Sequence, residues 1–133
     1  MDIPSPEIAN AITEEVVERA AKTAHEVNRA YCAGIGDDSH LAWEHAPDWQ
    51  RESVLGGVHR LMADPNASPE VMHDNWFKKK QDEGWVYGEV KDPEEKTHPC
   101  CRPYAHLPLS ERIKDDLFSA SVRGVLAKAL EPA

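Results

Sequence analysis

The chain has 133 residues, with 24 acidic and 15 basic side chains, so its formal net charge is −9. This length fits one domain, and the hydrophobic share of 41% is enough for one modest core. The acidic balance disfavours nucleic acid as a polymer, because binding its backbone needs clustered Lys and Arg, but it allows a small anionic ligand. No apolar run reaches the roughly 20 residues of a membrane-spanning helix. The N-terminus also lacks a signal peptide's basic start and apolar stretch. We therefore expect a cytoplasmic protein without membrane contact.

The first predicted helix is long. Ser5-Pro6-Glu7 supplies a capping hydroxyl, a proline at the first helical position and an acid near the positive end. Apolar residues then recur in steps of three and four and form one stripe: Ile8, Ile12, Val16, Ala20, Ala24, Val27 and Tyr31. Gly34 and Gly36 end the helix. At about 30 residues it is long for a globular protein, so its first turns are expected to project or to pack on another copy.

Three further helices follow in the sequence. The second begins at Pro47 and ends near Ala63. The third opens with Ser68-Pro69-Glu70, continues to Glu83 and is closed by Gly84. Its basic run, Lys78-Lys79-Lys80, has acids within a turn or so, which indicates a solvated helix face. Ser110 can cap a final helix that ends near Leu130.

The segment from Trp85 to Tyr104, hereafter the 85–104 segment, has no helical period. Its prolines forbid a long strand ladder, which predicts two short extended arms joined by an acidic turn at 91–95. The predicted fold class is therefore mainly α, with about four helices and a short β-hairpin-like excursion between the third and the fourth.

An ordered set of motifs carries a family resemblance. Trp76 is followed by Gly84–Cys100 (GWVYGEVKDPEEKTHPC), then by Arg102-Pro103-Tyr104 and Leu107, and then by Lys114-Asp115. Upstream, the stretch from His25 to Val58 also looks like the family. The chain resembles the RyR domain, the ryanodine receptor repeat, in its small stand-alone form of bacteria and phages. The resemblance covers about residues 24–124 of a single domain, 1–133, and leaves 1–23 as an N-terminal helical extension. One departure is Arg102, where the family usually has an aliphatic residue.

The resemblance implies a mostly helical fold with a short hairpin, no known catalysis and no assured cofactor. In bacteria and phages this domain is associated with immunity systems that use nucleotide signals. The resemblance therefore implies a domain that binds small nucleotide-like signals. The sequence itself contains no GxSxG, HExxH or phosphate-loop motif, so we expect no enzyme activity.

Candidate ligand-binding residues concentrate on the 85–104 segment. Its aromatic side chains could stack a base or could form the core. Tyr87 and Tyr104 are better candidates for an exposed rim than Trp85, because of their polar hydroxyl groups. The hydrogen-bonding and cationic candidates on its two arms are Lys91, Lys96, His98 and Arg102. The alternative is a solvated turn in which the two lysines balance the neighbouring acids.

The first helix supplies the other candidates. Asn28 and Tyr31 are expected on a pocket wall, and His25, Asn28 and Cys32 share a face because they are three and four residues apart. An equally good interpretation is a buried hydrogen-bonded pair that braces the 85–104 segment.

Metal ligands are not expected. His98, Cys100, Cys101 and His106 are close in sequence, but the two cysteines adjoin, unlike the spaced pairs of zinc sites. Residues 36–39 lack the alternating acids of a calcium loop. The odd number of cysteines, three, favours reduced thiols. No cofactor is implied.

Two functional hypotheses follow from these patterns. In the first, the chain is a sensor or sponge for a nucleotide-derived anion, such as a cyclic nucleotide or an ADP-ribose relative, held between the first helix and the 85–104 segment. In the second, it is a protein-interaction or assembly module that forms a homo-oligomer through the first helix.

Overall fold

The structure, a computed structural model, describes residues 12–131, and within this range it is mainly helical. Its helices are α1 (Glu14–Gly34), α2 (Asp48–Ala63), α3 (Pro69–Asp82) and α4 (Leu109–Ala129). Short 3-10 turns cover Trp43–His45 and Tyr104–His106, and the strands are β1 (Val86–Tyr87) and β2 (Thr97–His98). The predicted mainly α fold class is confirmed. None of the helices described is both long enough and apolar enough to cross a membrane.

The described residues form two compact units. The first unit contains 12–66 together with 116–131, and the second unit contains 67–115. Each unit is described below by itself. The expectation of a single domain stays a prediction.

The start of α1 differs from the sequence-based expectation. Thr13 is extended (φ −82°, ψ 169°), and its hydroxyl accepts a hydrogen bond from the Val16 N–H at 3.3 Å. The helix therefore begins at Glu14, because Thr13 caps it, whereas the sequence predicted a helix that continues through position 13. The predicted start at Ser5 lies outside the described residues.

The other helix ends follow local signals closely. Ser68 caps α3 by accepting a hydrogen bond from the Val71 N–H at 3.2 Å, and Gly84 closes it with φ +91°. The prediction that Ser110 caps α4 is wrong. The helix begins at Leu109, two residues earlier than a Ser110 cap predicts, because the carbonyl of Pro108 already accepts hydrogen bonds from the N–H groups of Glu111 (3.0 Å) and Arg112 (3.1 Å).

The first unit is built on contact between α1 and α2. The side chains that α1 buries are mostly small, which lets a neighbouring helix approach closely. The buried hydrophobic residues of this unit are Val17, Ala20, Ala21, Ala24, Cys32, Trp43, Ala46, Val58, Leu61 and Val122. The described apolar stripe of α1 is thus largely half-buried or buried in the chain's own fold.

The 85–104 segment contains a parallel strand pair, so its predicted hairpin-like form needs correction. β1 pairs with β2 in parallel, with Val86 opposite Thr97 and Tyr87 opposite His98. Thr97 also makes an antiparallel bridge to Asp92, with hydrogen bonds of 2.9 and 3.1 Å. Only the turn between these two residues is a hairpin. The parallel pairing follows from Lys96, whose left-handed φ of +56° reverses the direction of the chain just before β2.

Gly88, directly after β1, lies close to Thr97 of β2. A Cβ added there would lie 2.6 Å from the Cβ of Thr97, well inside van der Waals contact. The glycine is therefore required by close backbone approach beside the exposed ring of Tyr87.

Candidate functional site

His98 belongs to the second unit's aromatic cluster. Its ring meets the rings of Trp76 and Trp85 edge-on, with centroids 5.1 and 6.2 Å apart. Its Nδ1 accepts a hydrogen bond from the Cys100 N–H at 2.9 Å. An Nδ1 that accepts leaves the proton of the neutral ring on Nε2.

The surroundings of His98 are cationic. Burial, together with the ammonium groups of Lys91 and Lys114, lowers the pKa of His98 to about 3. Lys80 acts in the same direction, whereas Glu111 opposes it. At neutral pH His98 is therefore uncharged, and three lysines act against its protonation. This is notable on a chain of net charge −9.

Lys80 is buried, with 4% of its surface exposed. Its Nζ lies 5.3 Å from the ring centroid of Trp85 and 6.0 Å from that of Trp76. Burial lowers its pKa, and the carboxylate of Glu83, 3.5 Å away, opposes this. The interpretation of this lysine as part of a solvated helix face is wrong, because two indole faces and the Glu83 carboxylate replace part of its hydration.

Tyr87 and Arg102 form an exposed aromatic–cation pair. The guanidinium carbon of Arg102 lies 5.0 Å from the ring centroid of Tyr87, whose residue is 48% exposed. Tyr87 is also the register partner of His98 in the parallel pair. Three of the predicted site residues are thus brought together, and two of them offer the stacking face and the planar donor fork that suit a ring-bearing anion.

His73 holds the chain around Arg102. Its Nε2–H donates to the Arg102 carbonyl at 2.8 Å, and its Nδ1 lies 3.4 Å from the Asp115 carboxylate. Burial lowers the pKa of His73, but Asp115 and the Arg102 carbonyl outweigh burial, so the pKa is raised overall. The Tyr104 ring lies 6.1 Å from the imidazole. This network fixes the backbone that carries the Arg102 side chain.

The two adjacent cysteines are not poised as nucleophiles. The Cys100 thiol donates to a Glu111 carboxylate oxygen at 3.1 Å, and Lys114 holds the same oxygen at 2.7 Å. Burial, aided by Glu111, raises the pKa of Cys100 far above its usual range. Burial also raises the pKa of Cys101. Both thiols therefore remain protonated at neutral pH.

The remaining candidates of the second unit have more structural positions. Trp85 is 7% exposed and lies in the core, and Tyr104 is half-buried beside His73. Lys96 is exposed, and its Nζ donates to the Glu83 carbonyl at 2.7 Å, which ties the segment to the end of α3. Lys91 is half-buried and contributes to the positive field at His98.

The candidates on α1 belong to the first unit. Asn28 and Tyr31 are both half-buried there, and the Asn28 Oδ1 accepts from the Cys32 thiol at 3.8 Å. His25 is buried, and its Nε2–H donates to the Leu41 carbonyl at 2.7 Å. This bond braces the loop before α2, whereas the sequence suggested a brace on the 85–104 segment.

Sequence reasoning missed two members of the cluster. His73 carried no local signal, because its partners are 29 and 42 positions away along the chain. Lys80 was missed because it is the last of three consecutive lysines, which together were interpreted as a solvated face. Lys80 follows Trp76 by four residues, and this spacing indicates that the indole ring and the ammonium group lie on the same face of the helix.

A comparison with known families agrees with the resemblance drawn from the motifs. The family model described as RyR domain matches residues 59–128, which is just over half of the 133-residue chain. The match contains all of α3, the 85–104 segment and nearly all of α4. It begins downstream of residue 24, where the resemblance was first drawn. The chain belongs to the RyR domain family.

Proposed function

We propose that the second unit binds a small, ring-bearing anion at a site formed by Tyr87, Arg102 and His98. The observation that carries the proposal is the Arg102 guanidinium, 5.0 Å from the half-exposed ring of Tyr87, whose register partner in the strand pair is the neutral His98. The face of an aromatic ring can stack on a base, and an arginine guanidinium can donate two parallel hydrogen bonds to a phosphate. The ligand class is nucleotide-derived, such as a cyclic nucleotide or an ADP-ribose relative.

Three local features support this assignment. The His98 Nε2–H makes no hydrogen bond to another residue within 12–131, so it is available as a donor to a ligand oxygen. Lys91 adds positive charge near the same ring. The thiols of Cys100 and Cys101 are protonated and the site has no activated nucleophile, which favours binding over chemistry.

The biological role we propose is that of a cytoplasmic sensor or sponge for such a signal, in phage or bacterial defence. This role rests on the family's association with nucleotide signalling, which is an analogy of fold and context. The Tyr87–Arg102 pair gives that analogy a specific chemical site to test.

Calorimetry against a panel of cyclic nucleotides and ADP-ribose analogues tests the proposal. At least one member should bind, and Arg102→Ala should weaken its affinity about 10–100-fold, because a charge-assisted hydrogen bond contributes roughly 1.5–3 kcal/mol. Arg102→Lys should recover only part of that loss, since a point charge cannot grip in two places.

Matched variants separate the contributions. Tyr87→Phe should keep most of the affinity and Tyr87→Ala should lose it, because the aromatic face is the binding element. Arg60→Ala removes an exposed arginine of the first unit and should change nothing. Absence of heat for the whole panel, or full binding by a Tyr87→Ala/Arg102→Ala double variant, would sink the proposal.

A second candidate is assembly of copies through α1. Its support is the pair Ile12 and Val16 at the start of the described chain, whose side chains are only half-buried. Multi-angle light scattering over a wide concentration range tests it. A dimer that dissociates on Val16→Glu would support assembly, whereas a monomer at every concentration would remove it.

A further inference from the structure

The end of α1 brings three metal-binding side chains together in the first unit. Gly36 has φ +96°, and its N–H donates to the Ala33 carbonyl at 3.2 Å. The Asp37 N–H donates to the Cys32 carbonyl at 2.8 Å. This pair of bonds is a Schellman motif, which reverses the chain at a helix end. It carries Asp37 back over the last turn, above Cys32.

His40 completes the group. The Cys32 Sγ, one carboxylate oxygen of Asp37 and one ring nitrogen of His40 all lie within 4.8 Å of one another. The Asp37 Oδ2 is 3.8 Å from the His40 Nδ1. The Cys32 residue is fully buried, and the His40 side chain is only 10% exposed. Within 12–131, no other set of three His, Cys, Asp or Glu side chains converges in this way.

The carboxylate is also held in orientation. The Asp37 Oδ1 accepts hydrogen bonds from the Ser39 N–H at 3.0 Å and from the Ser39 hydroxyl at 2.6 Å. Oδ2 is the oxygen turned toward His40. Metal-binding carboxylates are commonly oriented by such outer hydrogen bonds.

We propose that Cys32, Asp37 and His40 form a binding site for a divalent transition metal ion of the zinc type. One thiolate, one imidazole and one carboxylate are borderline-soft donors that suit Zn²⁺ or Co²⁺ better than Mg²⁺ or Ca²⁺. Two such ligands in a tetrahedral shell are roughly 3.3–3.6 Å apart. The 3.8 Å pair is near this separation, and closing the 4.8 Å spread needs a loop movement of about 1 Å.

Metal binding changes the protonation of the site. The Cys32 thiol now donates to the Asn28 Oδ1 at 3.8 Å, and its proton leaves to solvent when the sulfur binds the ion. Affinity should fall at acidic pH, because protons compete for both the sulfur and the imidazole.

Titration of the metal-free full chain with Co²⁺ tests the site. We expect one equivalent to bind with a thiolate-to-cobalt charge-transfer band in the near ultraviolet and strong tetrahedral bands in the visible, and Zn²⁺ to displace it. Cys32→Ser should abolish the charge-transfer band, and His40→Gln should abolish tight binding. Ser39→Ala, which only frees the carboxylate, should weaken affinity about 10–100-fold.

Two control variants make the result decisive. Cys101→Ser removes a buried thiol of the second unit, and His45→Gln removes an exposed imidazole of the first; both should leave the cobalt spectrum unchanged. Should Cys32→Ser fail to fold by circular dichroism, His40→Gln and Ser39→Ala decide. Absence of the charge-transfer band at one equivalent, or a band that disappears with Cys101→Ser, would overturn the proposal.

Discussion

His98 and His73 pack against the same aromatic cluster, yet their surroundings favour opposite protonation states. Burial and the ammonium groups of Lys91 and Lys114 lower the pKa of His98 to about 3. Burial also acts against charge on His73, but Asp115 and the Arg102 carbonyl overcome it and raise that pKa. The two residues differ because the Asp115 carboxylate faces the ring of His73, whereas several ammonium groups act on His98.

His98 should make the protein acid-sensitive. Its folded pKa lies below its unfolded value of about 6.5, so its contribution to stability is present above that pH and is lost as the pH falls toward the folded pKa. The free energy of unfolding should fall by about 1 kcal/mol for each pH unit below 6 through this residue alone. Urea unfolding of wild type and His98→Asn at pH 7, 6, 5 and 4 measures it.

The variant is chosen so that only the titration is lost. Asn can still accept the hydrogen bond from the Cys100 N–H, but it does not bind a proton in this range. Its unfolding free energy should therefore depend less on pH, whatever its absolute value. His106→Asn, at an exposed position, serves as the control. Equal pH slopes for wild type and His98→Asn would contradict the prediction.

His73 should act in the opposite direction. Its folded pKa is raised, so its contribution is full below about pH 6.5 and is lost as the pH rises through the folded pKa. Asp115→Asn should therefore cost roughly 1–3 kcal/mol at pH 5.5 and distinctly less at pH 8.5. Asp116→Asn changes the exposed neighbour and should show no such pH dependence. A loss that is the same at both pH values would argue against a charged His73.

At the scale of elements, the β1–β2 pair depends on one glycine. Gly88→Ala introduces a Cβ 2.6 Å from the Thr97 Cβ, so the strands must separate, at a cost of about 1–3 kcal/mol. Gly124→Ala is the matched control, because that position in α4 has nothing within 4 Å of the added Cβ. There the substitution should stabilise by about 0.5–1 kcal/mol. Thermal unfolding of both variants measures the contrast, and two changes of the same sign would refute it.

The helices could be predicted from sequence because their signals are local. Ser68 and Gly84 bound α3 through hydrogen bonds and a φ angle that involve only nearby residues. The same logic misled at Thr13, since an apolar stripe does not reveal that this residue is extended and caps the helix that begins at Glu14. The parallel pairing of β1 and β2 was out of reach, because it depends on the left-handed Lys96, which no side-chain pattern announced.

The candidate site was accessible to sequence only where its members are close along the chain. Tyr87, His98 and Arg102 share one segment, and their grouping was expected. The bond between His73 and the Arg102 carbonyl joins positions 29 apart. Cys32, Asp37 and His40 are near in sequence, but their convergence depends on the chain reversal at Gly36.

At the scale of the whole molecule, the net charge favours binding of a small anion over binding of a nucleic-acid polymer. The proposed site needs only a few cations near His98 for one or two phosphates, whereas a polymer would also meet the repulsion of a chain with net charge −9. Fluorescently labelled single-stranded RNA and DNA of increasing length should therefore show no anisotropy change at physiological salt. Affinity that rises with oligonucleotide length and falls steeply with salt would indicate counterion release along a polymer groove. That outcome would replace the nucleotide-sensing proposal, since the Tyr87–Arg102 pair would then be one stacking position within a longer track.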